Sequence, residues 1–405
     1  MHASPLLAPR FLQGGFYVAT LRQERGSIAF VVDARYRSMR VTAKGAYSYV
    51  AVGKDALTGA QVAVKRVALV PGTISEEYRR LLREVELGAH IAATRPTRAL
   101  LPLLAAYVAC TQCVGPCEAK GQSHEEALYT LWPAWYADVQ TMVKQRVVLE
   151  DSHHRYFLVQ MLMAVNALHK MGWLHRDLKP ANLLWDGDSC RLAVCDYNLA
   201  RPRPPETETG GEEGRLRDDD DAPEPRITGY VTTRWYRAPE MLDAIARRRA
   251  GLVPADAYGP PADIWAVGCI FAQLLHPTGD VPWRGKSSAD QRQLQCATFE
   301  GGTPPLSAAA WARYFPTVSE QPLELLSRLL TPDPAQRITA EEALVHPFLR
   351  DYAGSLQEVE EEEGYTLPSK PFLPPVSPLL TDATTEDEAR VALLKYVNQL
   401  SRVGA

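Results

Sequence analysis

The stretch His175-Arg176-Asp177-Leu178-Lys179-Pro180-Ala181-Asn182, with Asp196-Tyr197-Asn198 shortly after it, decides how this 405-residue chain is read. Taken singly, an aspartate before an aromatic residue, or a lone lysine, is most often a surface group or a cap. Here two aspartates, a lysine and an asparagine keep fixed spacings, and further landmarks continue in order on both sides. The set needs one explanation, and that explanation must also cover Asn198.

Upstream, Val62-Ala63-Val64-Lys65 carries a lysine on a β-branched run. Glu84 follows, in Arg83-Glu84-Val85, within a charged, Leu-rich stretch of helical spacing. Downstream come Ala238-Pro239-Glu240, Asp263-Ile264-Trp265-Ala266-Val267-Gly268-Cys269 and Arg337. In this order the landmarks resemble those of a serine/threonine protein kinase: ATP lysine and its glutamate, catalytic loop, metal-binding triplet, end of the activation segment. Thr228-Gly229-Tyr230 ahead of Thr233-Arg234-Trp235-Tyr236-Arg237 narrows the resemblance to the mitogen-activated protein (MAP) kinase family, T-G-Y type. Arg35-Tyr36, Gly45-Ala46-Tyr47, Gly285-Lys286, Asp290-Gln291 and Ile338-Thr339-Ala340-Glu341-Glu342-Ala343-Leu344 agree with it. It covers about residues 35–350.

The resemblance implies an α+β, bilobal protein kinase fold, with a small antiparallel-sheet N-lobe carrying one main helix and a mostly helical C-lobe. The expected division is an N-terminal extension (1–35), a kinase domain (36–349, N-lobe to about 135, C-lobe from about 136) and a C-terminal tail (350–405). Within the N-lobe, Tyr47, Tyr49 and Val50, then Val62 to Val67, read as strands joined by the turn Asp55-Ala56-Leu57-Thr58-Gly59. Ser75 is the expected N-cap of the main helix. Phe157, Met161, Ala164 and Leu168 give a second helix one buried face. A terminal helix is expected from the capping pattern of Thr385 and Glu388, with Val391, Leu394 and Val397 as its apolar face. An acidic insert at about 202–225, including Asp218 to Asp221, reads as disordered and solvated.

Bulk properties exclude several classes. At 46% hydrophobic and 23% charged the chain is ordinary globular protein. A net charge of −4 provides no nucleic-acid footprint. The longest apolar run, Ala99 to Ala109, is broken by Pro102 and too short to span a bilayer. The start of the chain lacks a myristoylation glycine and a signal-peptide pattern. Seven cysteines without a disulfide framework fit a reducing compartment. The expectation is a monomer, cytoplasmic or shared between cytoplasm and nucleus, with no membrane or nucleic-acid partner.

The resemblance also assigns roles. Lys65, held by Glu84, binds the α/β-phosphates of ATP. Asp196 holds the principal Mg²⁺ and Asn182 the second. Asp177 orients the substrate hydroxyl and accepts its proton, and Lys179 sits near the γ-phosphate. Thr42, Ala43, Lys44, Gly45, Ala46, Tyr47, Ser48, Tyr49 and Val50 form the phosphate loop, with Ala63 and Leu184 also touching nucleotide. Thr228 and Tyr230 are the phosphorylation sites of an upstream dual-specificity kinase, with Arg80, Arg83, Arg176, Arg234 and Arg237 as candidate receivers of the added charge. Substrates are proteins phosphorylated at Ser/Thr before Pro.

Departures are also legible. Only the middle glycine of the phosphate loop survives, with Ala43 and Ser48 at the flanking positions, so weakened nucleotide binding is expected. Asn198 replaces a glycine; asparagine enters the left-handed region readily, at an expected cost of about 1 kcal/mol. The alternative reading is a pseudokinase scaffold or allosteric binder, disfavoured because Lys65, Asp177 and Asp196 are all kept; a cyclin-dependent type is disfavoured by Tyr230. Cys110, Cys113, Cys117 and His124 raise the question of zinc, although no usual finger spacing matches. Trp132 aligns near the gate of the adenine pocket and also reads as core packing. Glu358 to Glu363 could form an acidic docking patch, and Gly302 to Leu326 is shorter than the family's insertion there.

Overall fold

A computed structural model describes residues 10–12, 15–22, 26–45, 48–69, 75–114, 125–203, 233–251, 259–300, 307–365 and 386–403. The chain divides into two compact units. The first comprises Met1–Ala93, Leu101–Trp135 and Val376–Ala405. Strands β1 (Arg10–Phe11), β2 (Phe16–Arg22) and β3 (Ser27–Asp33) make a three-stranded antiparallel sheet. Their β-branched and aromatic residues suit a half-buried pleated surface. Next come β4 (Tyr36–Lys44), β5 (Ser48–Asp55), β6 (Gln61–Ala68), helix α1 (Ser75–Thr94), β7 (Ala105–Ala109) and β8 (Ala127–Pro133). These five strands form an antiparallel sheet in the order β4-β5-β6-β8-β7. The β5–β6 turn is the expected one: Gly59 takes the left-handed conformation that closes it (φ 74°).

The N-terminal strands belong to the core of this unit. Phe30, Val31 and Val32 are buried with Ala51, Val64, Tyr107 and Tyr129 of the larger sheet. Two buried phenols tie the sheets together: Tyr107 Oη donates to the Val31 carbonyl (2.7 Å), and Val31 N–H donates to Tyr129 Oη (3.2 Å). The terminal helix Glu386–Val403 packs on β7. Its buried stripe is Ala389, Ala392, Leu393 and Val397, while Val391 is exposed. The expected face is therefore rotated, because alanine as well as large residues lies on the buried stripe. Thr385, half of the expected capping pattern, lies outside the described residues, as does the side chain of Ser75.

The second unit comprises Thr94–Leu100 and Tyr136–Pro375. Its elements are β9 (Ala137–Asp138), α2 (Val139–Lys144), α3 (Asp151–Lys170), β10 (Trp173–Leu174), β11 (Leu183–Trp185), β12 (Leu192–Val194) and β13 (Arg201–Pro202). Helices α4 (Pro239–Arg249), α5 (Pro260–Leu275), α6 (Ser288–Glu300), α7 (Ala308–Trp311), α8 (Glu320–Leu329), α9 (Ala340–Leu344) and α10 (Arg350–Glu362) follow. Helix α3 buries Phe157, Met161, Ala164 and Leu168, but residues 157–162 and 164–168 are all buried, so it is enclosed on nearly all sides and not on the single face its periodicity implies. Helix α5 is apolar on all sides and buried on all sides, the pattern of a central core helix. Glu240, at the start of α4, is clamped bidentately by Arg337 (2.8 and 3.0 Å), whose side chain is fully buried. An antiparallel sheet of unit one and a helical unit two are the two parts expected of the fold. No helix among the described residues is long and apolar enough to cross a membrane.

Candidate functional site

The expected catalytic side chains fall into two sets, one in each unit. In the first unit, β6 alternates, so Val62 and Val64 point into the core and Ala63 and Lys65 point to the other face. Lys65 Nζ donates to both oxygens of Glu84 on α1, at 2.6 and 2.9 Å. Glu84 is 3% exposed, so the pair is screened little by solvent. Lys65 pairs with Thr130 on β8, and Ala63 with Trp132 two residues on, so these four share one face of the sheet.

Helix α1 reaches that face through a close fit. Gly88 lies one turn after Glu84, and a Cβ built on it would meet Trp132 Cη2 at 2.6 Å, Trp132 Cζ3 at 2.9 Å and Leu103 Cβ at 3.0 Å. The indole occupies the space that any other residue at 88 would fill. Its Nε1–H donates to Thr130 Oγ1 (2.9 Å), and Leu103 N–H donates to the Gly88 carbonyl (3.0 Å). Trp132 is 7% exposed, so the core-packing reading of this residue is the one observed. The sequence reading missed Gly88. A glycine inside a helix otherwise made of strong helix formers costs about 1 kcal/mol relative to alanine, and that cost was the available signal.

Of the residues expected to form the phosphate loop, Thr42, Ala43 and Lys44 end β4, and Ser48, Tyr49 and Val50 begin β5. Gly45 N–H donates to the Ser48 carbonyl (2.8 Å), which closes the turn. Ser48 Oγ stands 2.5 Å from where a Cβ on residue 45 would lie, so the serine hydroxyl fills the space the surviving glycine leaves. Ala46 and Tyr47 lie outside the described residues.

In the second unit, the β11–β12 hairpin carries Asn182 just before its first strand and Asp196 just after its second. Cys195 N–H donates to the Asn182 carbonyl (3.0 Å), which ties the two ends together. Asn182 Nδ2 donates to the Asp177 backbone carbonyl (2.8 Å) and to Asp177 Oδ2 (3.1 Å). Lys179 Nζ donates to Asp177 Oδ2 at 2.5 Å. Asp177 is 5% exposed. Burial pushes its carboxyl above the usual carboxylate range, against the pull of Lys179. Leu184, on β11, pairs with Asp138 and Ala193 and is half-buried.

The loop is held from beneath by Asp263 of α5, which the sequence reading placed only as part of a buried helix. Its carboxylate accepts from His175 N–H (2.9 Å), Arg176 N–H (3.0 Å) and His169 Nε2 (3.0 Å). Burial acts to raise this carboxyl, yet the His169 hydrogen bond, the neighbouring imidazoles and the backbone N–H hold it below its ordinary value. These bonds also support a strained backbone, since Arg176 has φ 69°.

The expected left-handed strain at Asn198 is not there. In this stretch the positive φ values fall on Arg176, Cys190 (φ 54°) and Asp196 (φ 65°). Aspartate tolerates the left-handed region because its short side chain bonds locally. The turn is made two residues early, at the carboxylate itself, and the cost expected at Asn198 is not incurred. Asn198→Gly therefore relieves no clash and adds freedom to the unfolded chain. It is expected to lower stability by about 0.4–1 kcal/mol. A denaturant midpoint that rose on this substitution would show that the asparagine is strained after all. Tyr197 is fully buried, and its hydroxyl donates to the Val194 carbonyl (2.8 Å). Tyr197→Phe keeps the ring and removes that bond, with an expected loss of about 1 kcal/mol in thermal unfolding.

The donor atoms suit Mg²⁺, a hard cation that takes carboxylate and amide oxygens. Asn182 uses its amide nitrogen within the loop, which leaves its oxygen for a ligand, and Asp196, just after β12, supplies the carboxylate.

Thr228 and Tyr230, and nearly all of the acidic insert, lie outside the described residues. Of their candidate receivers, Arg83 and Arg234 are buried, and Arg234 Nη1 donates to the Lys286 carbonyl (2.5 Å). Cys110 and Cys113 come together, whereas Cys117 and His124 lie outside the described residues. No cluster of three or more His, Cys, Asp or Glu able to hold a metal occurs among the described residues. The acidic run at the end of α10 is not wholly a surface patch. Glu360 is 8% exposed and accepts from Thr97 Oγ1 (2.9 Å) and Arg98 N–H (3.1 Å).

Residues 36–349 match the protein kinase domain model. Mitogen-activated protein kinase 17 of Oryza sativa subsp. japonica is 31% identical over 349 residues, 80% of this chain and 52% of the relative. Extracellular signal-regulated kinase 1 of Dictyostelium discoideum is 30% identical, covering 79% of this chain and 56% of the relative. Mitogen-activated protein kinase mpkA of Aspergillus fumigatus is 30% identical, covering 79% of this chain and 70% of the relative. The chain spans about half the length of the first of these.

Proposed function

Since the chain belongs to the protein kinase family and, within it, to the MAP kinases, we propose that it transfers the γ-phosphate of ATP to serine or threonine hydroxyls of protein substrates. The observation that carries this reading is that every charged group of the reaction is present in the sequence and that two sets of them are bonded. Lys65 is bonded to Glu84, and Asp177 is bonded to Lys179 and Asn182. A scaffold needs none of these pairs.

Phosphoryl transfer depends on positioning and charge neutralisation more than on covalent help from the protein. Lys65 meets the α/β-phosphates, and Glu84 keeps its ammonium from swinging away. Asp196 and Asn182 would hold Mg²⁺, which would neutralise phosphate charge. Asp177 orients the substrate hydroxyl and takes its proton; its raised pKa makes it a better base than a surface carboxylate. Lys179 offsets the charge at Asp177 and reaches the γ-phosphate.

The finer assignments rest on sequence motifs. The Arg234-Trp235 context supports a preference for Pro after the phosphorylated residue, and Thr228-Gly229-Tyr230 supports activation by an upstream dual-specificity kinase. The chain acts as a monomer in the cytoplasm, or in cytoplasm and nucleus. Transfer from labelled ATP to a Ser-Pro/Thr-Pro protein, before and after phosphorylation of Thr228 and Tyr230, tests the proposal. Equal signal from wild type and an Asp177→Ala control would replace it with the scaffold reading.

A further inference from the structure

We infer that Cys110 and Cys113 form an oxidation-sensitive dithiol, which closes to a disulfide when the protein meets a peroxide. The inference stands on the geometry of the chain after β7 and does not depend on the proposed activity.

Ala109, the last residue of β7, pairs with Val114 in an antiparallel bridge. One rung further on, Cys110 N–H donates to the Cys113 carbonyl (3.0 Å). The two cysteines thus face each other across a two-residue connection, Thr111-Gln112. A hydrogen-bonded antiparallel pair lies about 5.5 Å apart at Cα, inside the window of about 4.4–6.8 Å that a disulfide spans. The sulfurs are already in contact, with Sγ–Sγ 3.3 Å. A disulfide bond is about 2.0 Å long, so they need to approach by only about 1.3 Å, which small side-chain rotations supply while the backbone hydrogen bond stays in place.

The two thiols are not equivalent. Cys110 is 1% exposed, whereas Cys113 is partly exposed. A small oxidant therefore meets Cys113 first. Gln112 N–H donates to Cys110 Sγ (3.4 Å), and a hydrogen bond donated to sulfur favours its thiolate, the form that attacks. Accessibility assigns Cys113 as the first site of oxidation, and the N–H bond assigns Cys110 as the resolving thiol.

The chemistry balances with hydrogen peroxide as the oxidant. Cys113 sulfur attacks one peroxide oxygen; an S–O bond forms, the O–O bond breaks, and the departing hydroxide leaves as water with the thiol proton. Cys110 sulfur then attacks the sulfenic sulfur of Cys113. The S–S bond forms, the S–O bond breaks, and a second water carries away the Cys110 proton. Two thiols lose two electrons and peroxide gains them. In a reducing compartment such a bridge is transient and is reopened by thiol exchange. Its structural effect is to make covalent the turn that a hydrogen bond now closes, at the edge strand on which the terminal helix packs.

The test treats the reduced, full-length protein with hydrogen peroxide, blocks remaining thiols with an alkylating reagent, and maps linked peptides by mass. The expected result is a Cys110–Cys113 bridge, with loss of the mass of two hydrogens, reversed by dithiothreitol. Cys269, buried in α5, should stay alkylatable after denaturation. In Cys110→Ser, Cys113 should accumulate as a sulfenic acid trapped by dimedone. The wild-type map decides the matter even where that variant folds poorly. A bridge from Cys113 to Cys117, over-oxidation of Cys113 with no bridge, or oxidation of Cys296 ahead of Cys113 each overturns the inference. So does stoichiometric zinc in the isolated protein that shields both thiols until it is chelated.

Discussion

Asp177→Asn is expected to lower turnover by about 10²–10⁴-fold, the range a positioned acid–base group contributes, while leaving the protein folded. Asparagine keeps the shape and the acceptor oxygen that Lys179 and Asn182 contact, so the loop should hold its conformation. What is lost is a basic atom. Because burial raises the Asp177 pKa, wild-type turnover should climb as pH rises through that elevated value, where the carboxylate forms. The stability effect has the opposite sign. The folded state binds this proton more tightly than the unfolded state, so the group's contribution is full below its ordinary pKa and is lost as pH rises through the raised value. Asp177→Asn should therefore remove that pH-dependent component from the melting temperature and cost little stability at neutral pH. The measurements are turnover against pH and thermal melting against pH. An asparagine variant with wild-type turnover would show that Asp177 is not the base.

Trp132→Ala is expected to cost about 3–5 kcal/mol, as large-to-small changes of aromatic residues in cores do. The indole fills the slot left by Gly88, and no other side chain can enter from the helix because position 88 has none. Gly88→Leu should be destabilising for the opposite reason. Its Cβ alone would stand 2.6 Å from the ring, and overpacking of this kind costs about 1–3 kcal/mol or more. Moving the bulk from strand to helix, as Gly88→Leu with Trp132→Ala, should recover much of the loss, since residues in contact couple by about 0.5–3 kcal/mol. Denaturant unfolding of the four proteins measures that coupling; strict additivity would sink the argument. Glu84 is one helical turn from Gly88. A shift of α1 in the single variants should therefore weaken the bond to Lys65 and raise the KM for ATP, and the double variant should restore it.

The candidate catalytic groups were legible because their landmarks rest on residue type and local spacing. Among the residues assigned by resemblance, Lys65–Glu84 and Asp177–Lys179–Asn182 are bonded sets. The β5–β6 hairpin and the helical period of α3 were legible for the same reason: a turn motif and a helical period are short-range signals. The misreadings are of another kind. The glycine pattern implies strain at Asn198, but a position whose residue changes need not keep the glycine's conformation. The backbone instead takes its left-handed step at Asp196. The terminal helix was assigned its large apolar residues as a face, yet it packs through an alanine-bearing stripe chosen by its fit to β7.

The sequence by itself determined the family, the β5–β6 hairpin, the helical period of α3 and the identity of the charged groups, because each depends on side-chain type and on neighbours a few positions away. Only the tertiary structure decided that Gly88 and Trp132 are complementary, that Asp263 holds the loop of Asp177 from another helix, and that Glu360 turns inward to Thr97. These pairings join residues far apart in the chain, and close packing selects among them by volume and by unsatisfied hydrogen bonds. Neither quantity is written in a local pattern. The stretch His175 to Asn198 therefore announces its chemistry in one dimension, but the conformation that presents it is set by α5 beneath it and by the step at Asp196.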